Sequence, residues 1–330
     1  MRGPRARGGI EPGPVAVRSN MVTLAVTRRD ELADGVVGLS LQHPDGGRLP
    51  DWTPGSHIDL ILPNGMTRQY SLCGDRWDAS TYRIGVLRGA ASRGGSAYIH
   101  DVLRPGDRVG VGGPRNNFPL VPSEEYVFIA GGIGITPLLP MIIQAELLDA
   151  RWSLLYGGRR RASMAFLDAL TGYGDRVEVV PEQEFGLLEL TGLVEPRPGA
   201  TVYCCGPAPL LDAVGSACQA WPAHRLRTER FTAKAQDAQA RNEPFEVELR
   251  RSGITVTVPP ELSVLAAVRG AGVDMLSSCA QGICGTCETT VLAGRPDHRD
   301  SILTDQERAN ADCMFICVSR SHTDRLVVDL

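Results

Sequence analysis

Short apolar runs separated by Gly, Pro, Asn and Asp fill residues 22–118. The runs at 22–26, 36–41, 57–62, 68–72, 82–87 and 108–111 have strand length, and many short strands at this spacing predict a barrel or sandwich. One short helix is expected at 96–101, after a glycine pair. Near residues 119–123 the pattern changes. Strand-length apolar runs at 126–130, 152–156, 177–180, 201–205 and 225–228 now alternate with helical stretches at 137–149, 164–170 and 209–220. That alternation predicts a parallel sheet covered on both faces. Residues 233–242 (AKAQDAQARN) lack an apolar period and read as a linker. A third unit follows: a hairpin at 245–249 and 254–258, a short helix at 264–270, a cysteine-rich loop and a closing strand at 326–328. The expected boundaries are a disordered leader at 1–20, domains at 21–121 and 122–232, the linker, and a domain at 243–330.

Composition narrows the class. A chain of 330 residues suits two or three domains of about 100–150 residues. With 43% hydrophobic and 22% charged residues it is neither disordered nor a disulfide mini-scaffold. No apolar run approaches the roughly 20 residues that cross a bilayer, so no membrane is expected. A net charge of −4 gives nucleic acid no electrostatic footprint. Within residues 243–330, 8 arginines face 13 acidic residues, a net of −5.

The nine cysteines change the picture most. Residues 1–20 are rich in Arg, Gly and Pro and carry no apolar signal segment, so the odd count points to a reducing, cytoplasmic setting. There, clustered thiols bind metal more often than they pair. Cys279, Cys284 and Cys287 spell C-x4-C-x2-C, and Cys317 lies thirty residues beyond Cys287. This is the plant-type [2Fe–2S] spacing. Four thiolates must converge on two irons, so a tight loop supplies three and a neighbouring segment returns the fourth. Gly282 and Gly285 let that loop curl and aim amide N–H groups at sulfur. A structural zinc site usually draws on two close cysteine pairs, which the x4 gap fits poorly. A loop of free thiols would need neither the glycines nor a distant fourth cysteine. Cys313 rivals Cys317 as fourth ligand, and both would point the same way from one strand; the longer separation favours Cys317.

Two further constellations carry candidate chemistry. Arg68-Gln69-Tyr70-Ser71 lies on an alternating strand, Arg68 and Tyr70 on one face, Gln69 and Ser71 on the other. Arginine offers a fork for phosphate, tyrosine a plate for a ring, serine a hydroxyl for a ring edge. Ser92-Arg93-Gly94-Gly95-Ser96 precedes the short helix, where exposed N–H groups favour an anion. Ala130-Gly131-Gly132-Ile133-Gly134-Ile135-Thr136-Pro137 joins a buried strand to a helix, and Cys204-Cys205-Gly206-Pro207 does the same at a second strand end. Both lie at the carboxyl edge of the sheet, where α/β ligands bind. Neither is the G-x-G-x-x-G fingerprint. Each stretch alone also reads as an ordinary strand or turn, with Cys204 and Cys218 as core thiols. Arg159-Arg160-Arg161 reads as a 2′-phosphate site or as a solvated surface run.

In this order, the motifs resemble the ferredoxin–NADP reductase superfamily, and within it the phthalate dioxygenase reductase family, over about residues 20–330. The resemblance implies a multidomain fold: a β-barrel flavin domain, an α/β parallel-sheet NAD domain and a β-grasp plant-type [2Fe–2S] ferredoxin domain. It implies that Arg68, Tyr70 and Ser71 hold the flavin, with Gly94, Gly95 and Ser96 around its phosphate. Gly132, Gly134, Thr136, Pro137, Gly206 and Pro207 would serve the nucleotide, Cys205 would lie near the nicotinamide, and Phe231, in Glu229-Arg230-Phe231, would pack on the flavin. FMN is implied over FAD, NADH over NADPH, and a monomer whose partner is a Rieske oxygenase or a cytochrome P450. Cofactors carry the redox chemistry, so no general base is expected. Two other classes stand beside this one. A non-oxygenase electron-transfer subunit, like that of dihydroorotate dehydrogenase, has its fourth cysteine much nearer the third. A redox-sensing iron–sulfur protein predicts no NADH oxidation.

Overall fold

The structure, a computed structural model, describes residues 21–89, 94–233 and 243–330; the expected leader, Ser92, Arg93 and nearly all of the linker lie outside the described residues. Strands β1 (Val22–Ala33), β2 (Val36–Gln42), β3 (His57–Ile61), β4 (Thr67–Ser71), β5 (Thr81–Leu87) and β6 (Arg108–Arg115) form one antiparallel sheet in the order β4-β3-β6-β1-β2-β5. Its outer strands meet. Leu72 bridges Ile84, and the Cys73 amide donates to the Arg83 carbonyl at 2.9 Å, so the sheet closes into a barrel at this seam. Leu24, Leu39, Ile58, Leu60, Tyr82 and Ile84 fill it, and helix α1 (Gly95–Asp101) plugs it with Ile99.

The second sheet is parallel, β11-β10-β7-β8-β9, from β7 (Glu125–Gly131), β8 (Arg151–Gly158), β9 (Val177–Pro181), β10 (Ala200–Cys205) and β11 (Leu226–Glu229). Successive residues of its central strands enter two different cores. Phe128, Ala130, Tyr203 and Cys205 pack with helix α2 (Ile135–Leu147), while Val127, Ile129, Val202 and Cys204 face the other way. That period of two, with both faces apolar, is what makes the runs read as continuously hydrophobic. The helix expected at 164–170 shrinks to a 3₁₀ turn and the short α3 (Leu167–Leu170), because Phe166 sits in a left-handed conformation (φ 65°) that helices do not continue through. A further turn, α4 (Glu182–Phe185), follows β9, and α5 (Ala208–Ala217) follows β10.

The third unit has the sheet order β13-β12-β18-β14-β16, with β12 (Phe245–Leu249) parallel to β18 (Arg325–Val328) and antiparallel to β13 (Ile254–Val258). Strands β14 (Glu288–Ala293) and β16 (Cys313–Phe315) complete it, and β15 (Pro296–Asp297) pairs with β17 (Arg320–Ser321). Helix α6 (Val264–Gly270) packs Val264, Leu265 and Val268 across the sheet in a β-grasp. Polar α7 (Asp305–Asn310) is held by a capping box between Thr304 and Glu307. Among the described residues no helix is long and apolar enough to cross a membrane.

Arg320 is the polar centre of this unit. It is buried, stacks over Phe245, and its guanidinium donates to the carbonyls of Leu262 (2.8 Å), Glu243 (3.1 Å) and Pro259 (3.2 Å). A lysine reaches one of these at best. Arg320→Lys is expected to lower the stability of this unit by about 3 kcal/mol, read by thermal unfolding of the full chain.

Candidate functional site

On the barrel, β4 pairs with β3 so that Arg68 lies opposite Leu60, Tyr70 opposite Ile58 and Ser71 opposite His57. The second glycine of the Gly94-Gly95-Ser96 turn lies flat on Arg68: a Cβ on Gly95 would stand 2.6 Å from Arg68 Nε. The structure therefore brings the arginine and the glycine turn together. Ser96 is buried and its Oγ accepts from the Gly89 amide at 3.2 Å. Tyr70 packs its ring against the barrel core, where burial pushes its hydroxyl pKa up. Phe231 stands two residues past β11 and is 38% exposed.

The two nucleotide loops touch each other. A Cβ on Gly134 would lie 2.2 Å from the Cys205 carbonyl oxygen, and one on Gly131 2.7 Å from Pro207. Gly132, by contrast, faces open space at φ +54°. A Cβ on Gly206 would stand 3.1 Å from the Gly131 backbone, and Pro207 leads directly into α5. Thr136 and Pro137 turn inward: Thr136 Oγ1 donates to the Ile133 carbonyl at 2.9 Å and its methyl packs on Gly85 of the barrel, while Pro137 is buried in α2. Of the arginine run, Arg161 is held by Glu184 (2.9 Å) and Arg160 by Asp34 (3.7 Å).

Beside these loops lies an acid that the sequence shows only as the first residue of Glu229-Arg230-Phe231. Glu229 is the register partner of Cys205, whose buried thiol donates to its carboxyl at 3.9 Å. Burial pushes the Glu229 carboxyl up to about 8 and holds Cys205 well above the usual thiol range.

The third site is the loop before β14. The sulfurs of Cys279 and Cys284 meet, as do those of Cys287 and Cys317, and Cys279 also meets Cys317. Gln281 N–H points at Cys279 Sγ (3.2 Å) and the Thr286 hydroxyl lies 3.2 Å from Cys284 Sγ. Gly282 (φ +68°) and Gly285 (φ +77°) make the curl; a Cβ would run into Val318 at the first and Asn117 of the barrel at the second. Strand β16 stops at Phe315, and the chain turns so that Cys317 is buried with the loop while Cys313 stays half-buried beside Glu288 and Asp312. The two cysteines thus do not share a strand face, because the strand ends between them. Among the described residues, no three ligating side chains surround a single-ion position. Two thiol pairs joined through one contact, with amide and hydroxyl donors around them, fit a two-iron cluster in which each iron takes two thiolates.

A polar group that sequence reasoning missed joins this loop to the barrel. Arg115 Nη2 donates to Asp59 Oδ2 at 2.6 Å, and its Nε points at the Cys284 carbonyl at 3.4 Å. Ser278 Oγ, next to Cys279, donates to Asp59 Oδ1 at 2.6 Å, and the Gln69 amide donates to the same oxygen at 2.7 Å. His57 is buried beside them against the Cys284 backbone; burial, then Arg115, lowers its pKa to about 4, so the ring is neutral. The signal was there in one form: His57 and Asp59 are alternate polar positions in an otherwise apolar strand.

Two expectations follow. Gly134→Ala forces the two candidate nucleotide loops apart and should weaken pyridine-nucleotide binding at least about tenfold, whereas Gly132→Ala meets no neighbour and mainly incurs a backbone cost of about 1 kcal/mol; isothermal titration separates them. For Glu229 the folded pKa lies above the unfolded one, so its contribution to stability is full below about pH 4.5 and is lost as pH rises through about 8. Glu229→Gln keeps the neutral form, so its melting temperature should gain on the parent at pH 9 relative to pH 6.

Comparison with known proteins fits this geometry. The 2Fe-2S iron-sulfur cluster binding domain matches residues 247–322. Phenoxybenzoate dioxygenase subunit beta of Ectopseudomonas oleovorans is 46% identical over 301 residues, 90% of this chain and 94% of that protein. The structure of phthalate dioxygenase reductase, described as modular for electron transfer from pyridine nucleotides to [2Fe–2S], superposes with a TM-score of 0.69 at 34% identity, over 94% of this chain and 98% of that one. An intact type IV self-sufficient cytochrome P450 monooxygenase superposes with a TM-score of 0.89 at 41% identity, over 97% of this chain; this chain spans 43% of that protein. Barrel, parallel sheet and β-grasp unit are thus shared in one order along nearly the whole described chain, and the protein belongs to the phthalate dioxygenase reductase family.

Proposed function

We propose that this chain is an NADH-dependent reductase that passes electrons from NADH through FMN and a [2Fe–2S] cluster to a terminal oxygenase. The observation that carries the reading is the content of one five-residue strand. β4 bears Arg68, Tyr70 and Ser71 and, between them, Gln69, whose amide reaches Ser278 beside the first cluster cysteine. The strand that carries the flavin residues therefore also touches the cluster loop. When bound, the flavin accepts a hydride and releases its two electrons singly to the cluster.

The residues have separate tasks in this reading. Arg68, with the Gly94–Ser96 turn against it, holds one phosphate, which favours FMN, as does the family resemblance. Tyr70 and Phe231 present rings to the flavin, and Ser71 a hydroxyl. Gly132 offers the nucleotide an open backbone at the sheet edge, with Gly134, Gly206 and Pro207 shaping the floor and Thr136 and Pro137 anchoring it. Cys205 lies near the nicotinamide. NADH is favoured over NADPH because two of the three arginines at 159–161 are already engaged by carboxylates. Cys279, Cys284, Cys287 and Cys317 ligate the irons. The relatives named for dioxygenase systems favour a Rieske oxygenase as acceptor; the likeness to part of a cytochrome P450 monooxygenase supports a haem acceptor as the second reading. The acidic cluster domain would meet a basic patch on either. The same reading takes the protein as a cytoplasmic monomer.

Anaerobic addition of NADH should bleach both flavin and cluster, with NADPH at least about tenfold less efficient, and acid-released flavin should have the mass of FMN. Cys317→Ser should abolish the cluster spectrum and leave flavin reduction intact, while Cys313→Ser keeps both. Absence of bleaching by either nucleotide, or cluster loss in Cys313→Ser alone, overturns the reading.

A further inference from the structure

The contact between barrel and cluster loop is small and strongly polar. At its centre is an ion pair whose two partners come from the barrel: Asp59, on β3, has only 8% of its side chain exposed, and Arg115, at the end of β6, 27%. Each partner reaches across. Asp59 accepts from Ser278, one residue before Cys279, and Arg115 points at the carbonyl of Cys284 itself. A buried pair of this kind contributes little net stability, since desolvation offsets most of the attraction. Its placement is therefore better explained by what it touches than by what it stabilises.

Resting on the reductase reading above, we propose that the Asp59–Arg115 pair positions the cluster for electron exit from the flavin: it pins the loop at Ser278 and Cys284 and presents a balanced charge beside the irons. Cluster potentials respond to nearby charge and to hydrogen bonds around the ligating residues. Opposite charges in contact leave only a weak field at the cluster; one charge alone, in an enclosed site, does not. Removing either partner therefore has two effects. It loosens the loop, and it leaves the other partner's charge uncompensated, positive in one case and negative in the other.

Loss of charge balance shifts the potential with opposite sign for the two partners, whereas loss of positioning slows electron transfer whatever the sign. In the full chain carrying flavin and cluster, mediated titration followed by the cluster's electron paramagnetic resonance should show a higher potential in Asp59→Asn and a lower one in Arg115→Gln. In Ser278→Ala, which changes no charge, the potential should stay at the parent value. On rapid mixing with NADH, flavin bleaching should keep the parent rate within about twofold in all three. Cluster bleaching should slow at least about tenfold in Asp59→Asn and several-fold in Ser278→Ala. Slower transfer in Asp59→Asn despite its higher cluster potential separates positioning from driving force. Potentials that move together or stay still, or cluster bleaching at the parent rate in Asp59→Asn, overturn the proposal. If a charge variant fails to load its cluster, the rate in Ser278→Ala decides: slowed transfer supports the pin and the parent rate overturns it. If NADH reduces no flavin in the parent protein, the reductase reading fails, while the mediated potentials still test the pair.

Discussion

Close approaches that glycine permits hold the parts of this molecule together. Gly134 lies on the Cys205 carbonyl, where a Cβ would meet fixed backbone, and Gly95 and Gly285 lie against the Arg68 and Asn117 side chains, which a Cβ would displace. Each contact joins two parts of one candidate site, or two domains. Side-chain packing could hold the same segments together, but with several ångströms of apolar atoms between them. Cofactors that exchange electrons need short separations, and glycine is the residue that lets polar backbone, rather than bulk, form the boundary.

The alternation of the central strands sorts the cysteines by the same economy of space. On β10, Cys204 falls on the face toward α5, and Cys205 on the face toward α2 and the glycine loops. One residue of register separates a packing thiol from one at the site. Cys218 joins Cys204 in its core, and Cys73, beside the seam where the barrel closes, is pushed up to about 12 by burial and gives its S–H to the Arg83 carbonyl. These thiols are fixed as small apolar side chains.

Much of this was legible in the order of residues, for identifiable reasons. The barrel and parallel-sheet strands carry their own period, and the ligand cysteines their own spacing, so local pattern suffices. Strands β14 and β16 are different. Their pairing joins residues 288–290 to 313–315, and three residues with one cysteine leave no period to read. Polar α7 has no apolar face and is defined by its cap alone. Asp59, Arg115 and Ser278 are more than fifty residues apart along the chain, so only the closed barrel and the folded loop bring them together. Glu229 was visible as part of a segment, but its raised pKa is a property of the folded surroundings that bury its carboxyl.

The two ends of the electron path consequently differ in electrostatic character. At the Cys205 loop, burial raises both the Cys205 thiol and the Glu229 carboxyl, so both groups favour their neutral forms. In the proposed reading a nicotinamide beside them would gain one positive charge on giving up a hydride, and neutral neighbours neither hold that product by a full ion pair nor repel it. At the cluster end the groups nearest the loop are charged, yet paired across 2.6 Å, and the buried histidine between them stays neutral. Neutrality is reached at one end by protonation and at the other by pairing. The first depends on pH near 8, and the second does not, so alkaline conditions should alter the nucleotide pocket before they reach the cluster.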